Sequence, residues 1–271
     1  MKKIDPKLYS LANFKRSRYP PFRKHSERAV LGVLPSADWS DNKERYTFAV
    51  KEGLVDRKNV LDLCCGIGYG SEILAKRASK VTGVDVSPKA IEFAKENYKR
   101  KNLEFKKMDA GGLEMKNDSV DVICAFEALE HVTNPDGMLS EMKRVLKKGG
   151  TAIISTPNRY FASPFVKKPF NPHHVKEYLP DEFLGALGKH FKVEGLYGQM
   201  IFSSKQAYRH ARLKRLLSYS GILGPLARFR NLLTGRKSAK QGGNLQDAAV
   251  KKLKINGSHQ PTYMVAVCRK E

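Results

Sequence analysis

The sequence predicts an α/β fold: a doubly wound sheet of seven strands, mostly parallel with an antiparallel last strand. Three observations predict it. From about residue 41 short apolar runs alternate with segments of helical period, the pattern of strands joined by helical crossovers. A glycine-rich turn, Gly66, Gly68 and Gly70, follows the first apolar run. The final run, TYMVAVCRK (262–270), alternates as a closing edge strand does.

Each element follows from its residues. NKERYTFAVKEG (42–53) has the spacing of an amphipathic helix ending at Gly53. NVLDLC (59–64) is a short apolar run, suited to a parallel strand covered on both faces. A helix over about 69–78 leads to the strand KVTGVD (80–85). SPKAIEFAKENYKRK opens with Ser87 as cap and Pro88 at the first helical position, where a missing N–H costs nothing. LEFKKMD (103–109), SVDVICAF (119–126) and GTAIIST (150–156) supply three more strands. A helix at 136–147 lies between the last two and stops at Gly149–Gly150. LPDEFLGALGKH (179–190) reads as a helix and FKVEGLYGQM (191–200) as a strand. Five strands with helical crossovers make the sheet Rossmann-like. Before the last strand stands a basic helical insertion, residues 203–256, where a sheet would otherwise make a hairpin. AYRHARLKRLLSYSG and LGPLARFRNLLTG place leucines at helical spacing, broken by Gly221, Gly224 and Pro225.

The bulk properties narrow the class. The 271 residues, 41% hydrophobic and 28% charged, suffice for one α/β domain with additions. No apolar run follows the N-terminal lysines, so no secretory signal is expected. No stretch approaches the roughly 20 apolar residues that span a bilayer. Cys64, Cys65, Cys124 and Cys268 form neither a zinc spacing nor a disulfide framework, which suits a reducing cytoplasm. No metal site is expected. The net charge of +23 is unevenly placed. Residues 1–28 hold nine Lys/Arg against two acids, and residues 203–256 hold 13 against one. The stretch between them is nearly neutral, so the charge sits in appended segments. Such segments attract an anionic surface or ligand. The expected organisation is a basic arm over 1–40 and a catalytic domain over 41–271 interrupted at 203–256.

The glycine turn by itself would serve a dinucleotide as well as other ligands. Two residues decide between them. The spacing G-x-G-x-x-G read from Gly66 needs glycine at 71, and Ser71 stands there. Asp62 precedes the turn, where a carboxylate repels a pyrophosphate but suits a ligand bearing an ammonium and a sulfonium. S-adenosylmethionine carries both and has no phosphate. Asp85 ends the second strand about 20 residues beyond the turn, placed to bind ribose hydroxyls. Asp109 ends the third, where it can accept from the adenine amino group.

VLDLCCGIGYGS, VTGVDVSPKAIEFAKENY, FKKMDAGGLEM and VDVICAFEALEHVTNPDGMLSEMKRVLKKGGTAIISTPN closely resemble the class I S-adenosylmethionine-dependent methyltransferases of the ubiquinone-biosynthesis-like type. The resemblance covers about residues 44–200, with four motifs in order. It implies that Asp62, Gly66 and Gly68 hold the methionine moiety, Asp85 with Val86 the ribose, and Asp109 with Ala110 the adenine. It further implies that Phe126 and Glu127 line the pocket near the sulfonium, and that Arg45 and Tyr46 close over the cofactor's carboxylate. Cys64 departs from it, since the family usually has glycine or alanine there.

Methyl transfer is an in-line displacement that asks for proximity and sometimes a base. His131, in EALEHV, is the first candidate base, against a packing or capping role. His174, in NPHHVKEY, resembles a segment of relatives acting on sugars and other small hydroxyl or amine acceptors, in which the histidine and Glu177 face substrate; the competing role is a loop anchor. Glu130 reads as solvated or structural. An (N/D)PP(Y/F) tetrapeptide for nucleobase amines is absent, FEAL standing in its place. Cys124, inside a strand, reads as a small buried apolar residue rather than a nucleophile. The basic insertion reads as a peripheral contact with an anionic membrane, or as a lid with solvated charges. Expected partners are therefore a small-molecule or lipid-linked acceptor and an anionic membrane surface, with nucleic acid third. RNA methylation through the basic arms and a non-catalytic binding module remain the alternatives.

Overall fold

A computed structural model describes residues 36–166, 168–203, 208–209, 250–252 and 259–271, with side chains from residue 42 onward. Strand β1 (Asn59–Leu63) lies parallel between β2 (Lys80–Asp85) and β4 (Val120–Phe126). Outside β2 runs β3 (Leu103–Lys107), and outside β4 runs β5 (Leu146–Pro157), both parallel. The last strand, β8 (His259–Arg269), is antiparallel to β5 on one side and to β6 (Lys192–Ser203) on the other. The strand order reverses between β1 and β4. In such sheets a crevice opens at that reversal, outside the carboxyl ends of the strands.

Strand alternation sorts the core. Successive side chains point to opposite faces, so Leu61 and Leu63 join Ile123, Met138, Leu139 and Phe183 on one side. Val60, Val122 and Ile153 join Tyr46, Phe48 and Leu74 on the other. The first face is covered by α4 (Pro135–Val145) and α6 (Pro180–Gly188), the second by α1 (Ser36–Lys51) and α2 (Tyr69–Leu74). Helix α3 (Pro88–Asn97) packs against β2 and β3. Its Ser87 cap and Pro88 stand as expected, the hydroxyl accepting from Ala90 N–H at 3.4 Å.

Several boundaries differ from expectation. Helix α1 starts at Ser36 and α2 stops at Leu74. Helix α4 ends at Val145 rather than at the glycine pair. Its final carbonyls, Arg144 O and Val145 O, accept from Asp118 N–H and Ser119 N–H, so no glycine cap is needed. Gly149, at φ +72°, instead turns the chain inside the start of β5, beside a bulge between Val120 and Val122. Two short elements were not foreseen: α5 (Arg159–Ala162) and β7 (Lys251–Lys252). The latter lies within the stretch expected to be helical and pairs with Tyr197 and Gly198, covering part of the β6 edge. The two helices expected there fall outside the described residues, apart from Tyr208 and Arg209, which are helical.

Candidate active site

A cleft of about 670 Å³ opens at the strand reversal, within the size range of small-molecule sites. The turn after β1 lines it and has left-handed backbone at three alternate positions: Cys64 at φ +61°, Gly66 at +55° and Gly68 at +86°. A side chain on Gly68 would lie 2.7 Å from Ala94 and Phe105, whereas one on Gly66 would meet nothing within 4 Å. Gly66 lines the cleft, so its missing side chain is room for a ligand. Cys64 adopts the same backbone region with a Cβ, at a cost of about 1 kcal/mol. The turn is tied to β2 by Asp85, whose oxygens accept from Gly66 N–H at 3.0 Å and Ser87 N–H at 2.8 Å. Asp85 also lines the cleft. Asp109 lies two residues past the end of β3, exposed, and accepts from Gly111 N–H at 2.8 Å. Val86 (56% exposed), Met108 and Ala110 form an apolar slot between the two acids.

Asp62 does not join the cleft lining. It is fully buried in β1, where Ser71 Oγ donates to one oxygen at 2.5 Å and Tyr46 Oη to the other at 3.2 Å. Burial outweighs those two bonds and pushes its carboxyl up to about 7. Arg45 is likewise buried and outside the lining. Its guanidinium donates to Asn42 and, at 2.6 Å, to Gln199. It lies 3.8 Å from Glu127 and covers the Tyr263 ring at 4.6 Å. Tyr46 does line the cleft, its ring edge-on to Phe126 at 4.8 Å. Glu127 ends β4 at φ +52°, and Ser155 Oγ donates to its carboxylate at 2.7 Å.

His131, Val132, Thr133, Asn134 and His173 also line the cleft. His131 Nδ1 lies 3.1 Å from the His173 carbonyl. A carbonyl only accepts, so this nitrogen carries a hydrogen, while Nε2 lies 4.0 Å from Glu130 Oε1. His174 stands against His131, the rings edge to face at 4.9 Å. Glu177 does not face the cleft: it lies behind His174, with Oε1 2.7 Å from Nδ1. Glu130 is not solvated; it is fully buried, accepts from Thr156 Oγ1 at 3.0 Å, and its carbonyl accepts from Val175 N–H at 2.7 Å. Burial, with the Glu127 charge adding to it, holds the Glu130 carboxyl well above the usual carboxylate range. Glu130, His131 and His174 each bring one donor atom within 4.8 Å of the others. They form a lone-pair-rich spot suited to a proton or a cation. No such cluster was expected, because the histidines come from loops on either side of β5.

The cleft therefore gathers Tyr46, Cys64, Gly66, Asp85, Val86, Asp109, Ala110, Phe126, Glu127 and His131. It leaves out Arg45, Asp62, Gly68, His174 and Glu177, which stand behind or beside its walls. Sequence reasoning missed Met108, Ser71 and Thr156. Ser71 was weighed only for not being glycine, although a hydroxyl nine residues after a buried acid is a natural partner for it. Cys124 is fully buried in β4, as a small apolar residue would be.

A parallel sheet with a glycine turn, and carboxylates at successive strand ends around one cleft, defines a nucleoside-type cofactor domain. The chain belongs to the class I S-adenosylmethionine-dependent methyltransferases: the methyltransferase domain family matches residues 54–211. A probable S-adenosylmethionine-dependent methyltransferase of Mycobacterium tuberculosis is 31% identical over 180 residues, covering 64% of this chain and 65% of that protein. A ubiquinone biosynthesis O-methyltransferase of Coxiella burnetii is 35% identical over 122 residues, covering 44% of this chain and 52% of that one. The chain thus spans between about half and two thirds of these relatives' length. In fold it is similar to an S-adenosylmethionine-dependent methyltransferase from Mesorhizobium loti, with TM-score 0.54 and 16% identity, covering 87% of this chain and 98% of that one. The residues present fit the family's cofactor: a strand-end carboxylate, apolar side chains and a glycine that leaves room all line one cleft.

Proposed function

We propose that the protein transfers the methyl group of S-adenosylmethionine to an oxygen or nitrogen of a small-molecule or lipid-linked acceptor, such as a sugar of a surface glycan, at the inner face of a membrane. The observation that carries this reading is that one cleft at the strand reversal is lined by Asp85, Asp109 and His131 together. When bound, the cofactor supplies a methyl carbon already activated by its sulfonium. Asp85 and Gly66 orient it, and Phe126 and Tyr46 wall off water beside it. Holding donor and acceptor in one cleft supplies much of the rate, because effective molarities of about 10⁵–10⁸ M are reached by well-oriented groups. A hydroxyl acceptor must also lose a proton, and His131, which lines the cleft, is our candidate to take it. The named O-methylation of the Coxiella relative supports an oxygen acceptor. The charge of residues 203–256 supports an anionic membrane as the meeting place. Among the described residues no helix is long and apolar enough to cross a membrane, so the contact proposed is peripheral.

The test is to incubate the protein and labelled cofactor with cell extract split into lipid, RNA, protein and small-molecule fractions. Label in the lipid or small-molecule fraction is expected. Label confined to RNA moves the reading to the basic arms as an RNA-holding device. Asp85→Ala should weaken cofactor binding in calorimetry at least tenfold, since a hydrogen bond to a charged group is worth about 1.5–3 kcal/mol. Unchanged affinity in that variant ends the assignment of the ribose site.

A further inference from the structure

Exposed apolar side chains collect on one part of the surface. Among the described residues six large ones are exposed, and of these Val86 belongs to the cleft lining. The other five fall on the loop between α5 and α6, at the end of β6, and at Tyr208. Three of them are rings joined in one run. Phe202 meets Phe161 at 5.5 Å, Phe161 meets Tyr160 at 5.9 Å, Tyr160 meets Phe165 at 6.3 Å, and Phe165 meets Tyr208 at 6.2 Å. Phe202 is 40% exposed, and Phe165 and Tyr208 are each 48% exposed. Phe165 also stands at φ +62°. That backbone region is costly for a bulky side chain, and outliers of this kind cluster where a ligand is gripped.

The charge around the rings has one sign. Residues 159–176 hold Arg159, Lys167, Lys168 and Lys176 and no acid, which the near-neutral balance of the longer stretch conceals. Arg159 pairs with Glu182 of α6 at 2.9 Å. Lys168, Lys176 and Arg209 are exposed. At Ser203 the chain passes from the end of β6 into the insertion, where 13 Lys/Arg stand against one acid. A contiguous apolar patch marks a protein or membrane contact. Protein interfaces are depleted of lysine, whereas bilayer interfaces combine aromatic rings at headgroup level with cations that meet anionic lipid. Three of the four loop cations are lysines, which favours the bilayer.

We propose that Phe165, Phe202 and Tyr208 form an apolar wedge that enters the headgroup layer of an anionic phospholipid bilayer. The lysines of the 159–176 loop and the cations of the insertion meet its phosphates. This rests on the peripheral membrane contact proposed above and adds to it a surface on the catalytic body. The two signals need each other, because a single small apolar anchor holds a bilayer weakly and stable attachment takes a polybasic segment as well. The loop that carries Phe165 continues to His173, which lines the cleft. The wedge therefore brings the headgroup layer toward the cleft's rim.

The experiment uses the full chain with vesicles of equal parts phosphatidylcholine and phosphatidylglycerol. Phe165→Gly, which removes the ring and suits the left-handed backbone, should lower the partition coefficient about tenfold. Adding Phe202→Ser should lower it further. Melting temperature and S-adenosylmethionine affinity should stay at wild-type values in both. A second readout keeps a ring in place. Phe165→Trp combined with Trp39→Phe, which replaces the chain's single tryptophan, should show blue-shifted emission on vesicles and quenching by brominated lipid. Wild-type partitioning in Phe165→Gly, or emission untouched by brominated lipid, overturns the wedge and leaves attachment to the insertion's charge. If Phe165→Gly loses self-association, or binding to single-stranded RNA, while vesicle binding persists, the rings serve another partner and the wedge is again overturned. A wild-type chain that ignores the vesicles overturns the membrane reading and the wedge together.

Discussion

Asp62 illustrates what a residue's identity conveys and what it conceals. Its position before a glycine turn suggests a ligand contact, yet its oxygens are taken by Tyr46 from α1 and Ser71 from α2. Spacing along one strand carries no information on those partners, which arrive from other elements. The place of Asp85 in the cleft was legible because it ends a strand beside the glycine turn, where the sheet reverses. The buried environment of Asp62 has a measurable consequence. Its carboxyl is raised from the ordinary 3.8 to about 7, so between those values the folded state holds a proton that the unfolded chain has lost. Stability from this group therefore falls as pH rises through that window, and stays low above 7, by on the order of 4 kcal/mol. Asp62→Asn should flatten this slope: melting temperatures of variant and wild type should diverge in the variant's favour from pH 5 to pH 8. Parallel curves would show that Asp62 is ionised throughout.

At the scale of elements, helix α1 is joined to the cleft by one aromatic contact that a glycine permits. A Cβ at Gly70 would sit 2.0 Å from the Tyr46 ring, so Tyr46 lies directly on the backbone of α2. The same ring meets Tyr69 at 5.5 Å and Phe126 at 4.8 Å. Gly70→Ala should push α1 off its seat, weakening cofactor affinity about tenfold or more. Gly188→Ala, whose Cβ would meet nothing within 4 Å, is the matched control and should change neither affinity nor melting temperature. Equal effects of the two would sink the idea. The longer elements were legible because period and caps agree, as at Ser87–Pro88. Four-residue α5 and two-residue β7 are shorter than any period. The end of α4 was misplaced because Gly149 serves a bulge rather than a cap.

At the scale of the whole molecule, the alternation of runs was enough for a doubly wound sheet with an antiparallel last strand, but that strand, expected at an edge, lies between β5 and β6. The pairing of His131 with His174 was not legible, because it depends on two loops meeting over β5. The charge map was legible in full: an almost neutral catalytic body with cationic segments at one end and in one insertion. Strands β6 and β8 are antiparallel neighbours out to the pair Ser203–His259, and four residues inward the pair Gln199–Tyr263 grips Arg45 of α1. The insertion thus departs from and returns to one spot, close to a buried clasp that holds helix α1 against β6 and β8. On this connectivity the body and its cationic accessory are expected to be separable parts. Replacing 204–258 by a two-residue Asn-Gly turn should give an ordinary hairpin that binds S-adenosylmethionine as before. It should no longer sediment with anionic vesicles at low salt. A hairpin variant that lost the cofactor would mean that the accessory and the catalytic body became one unit.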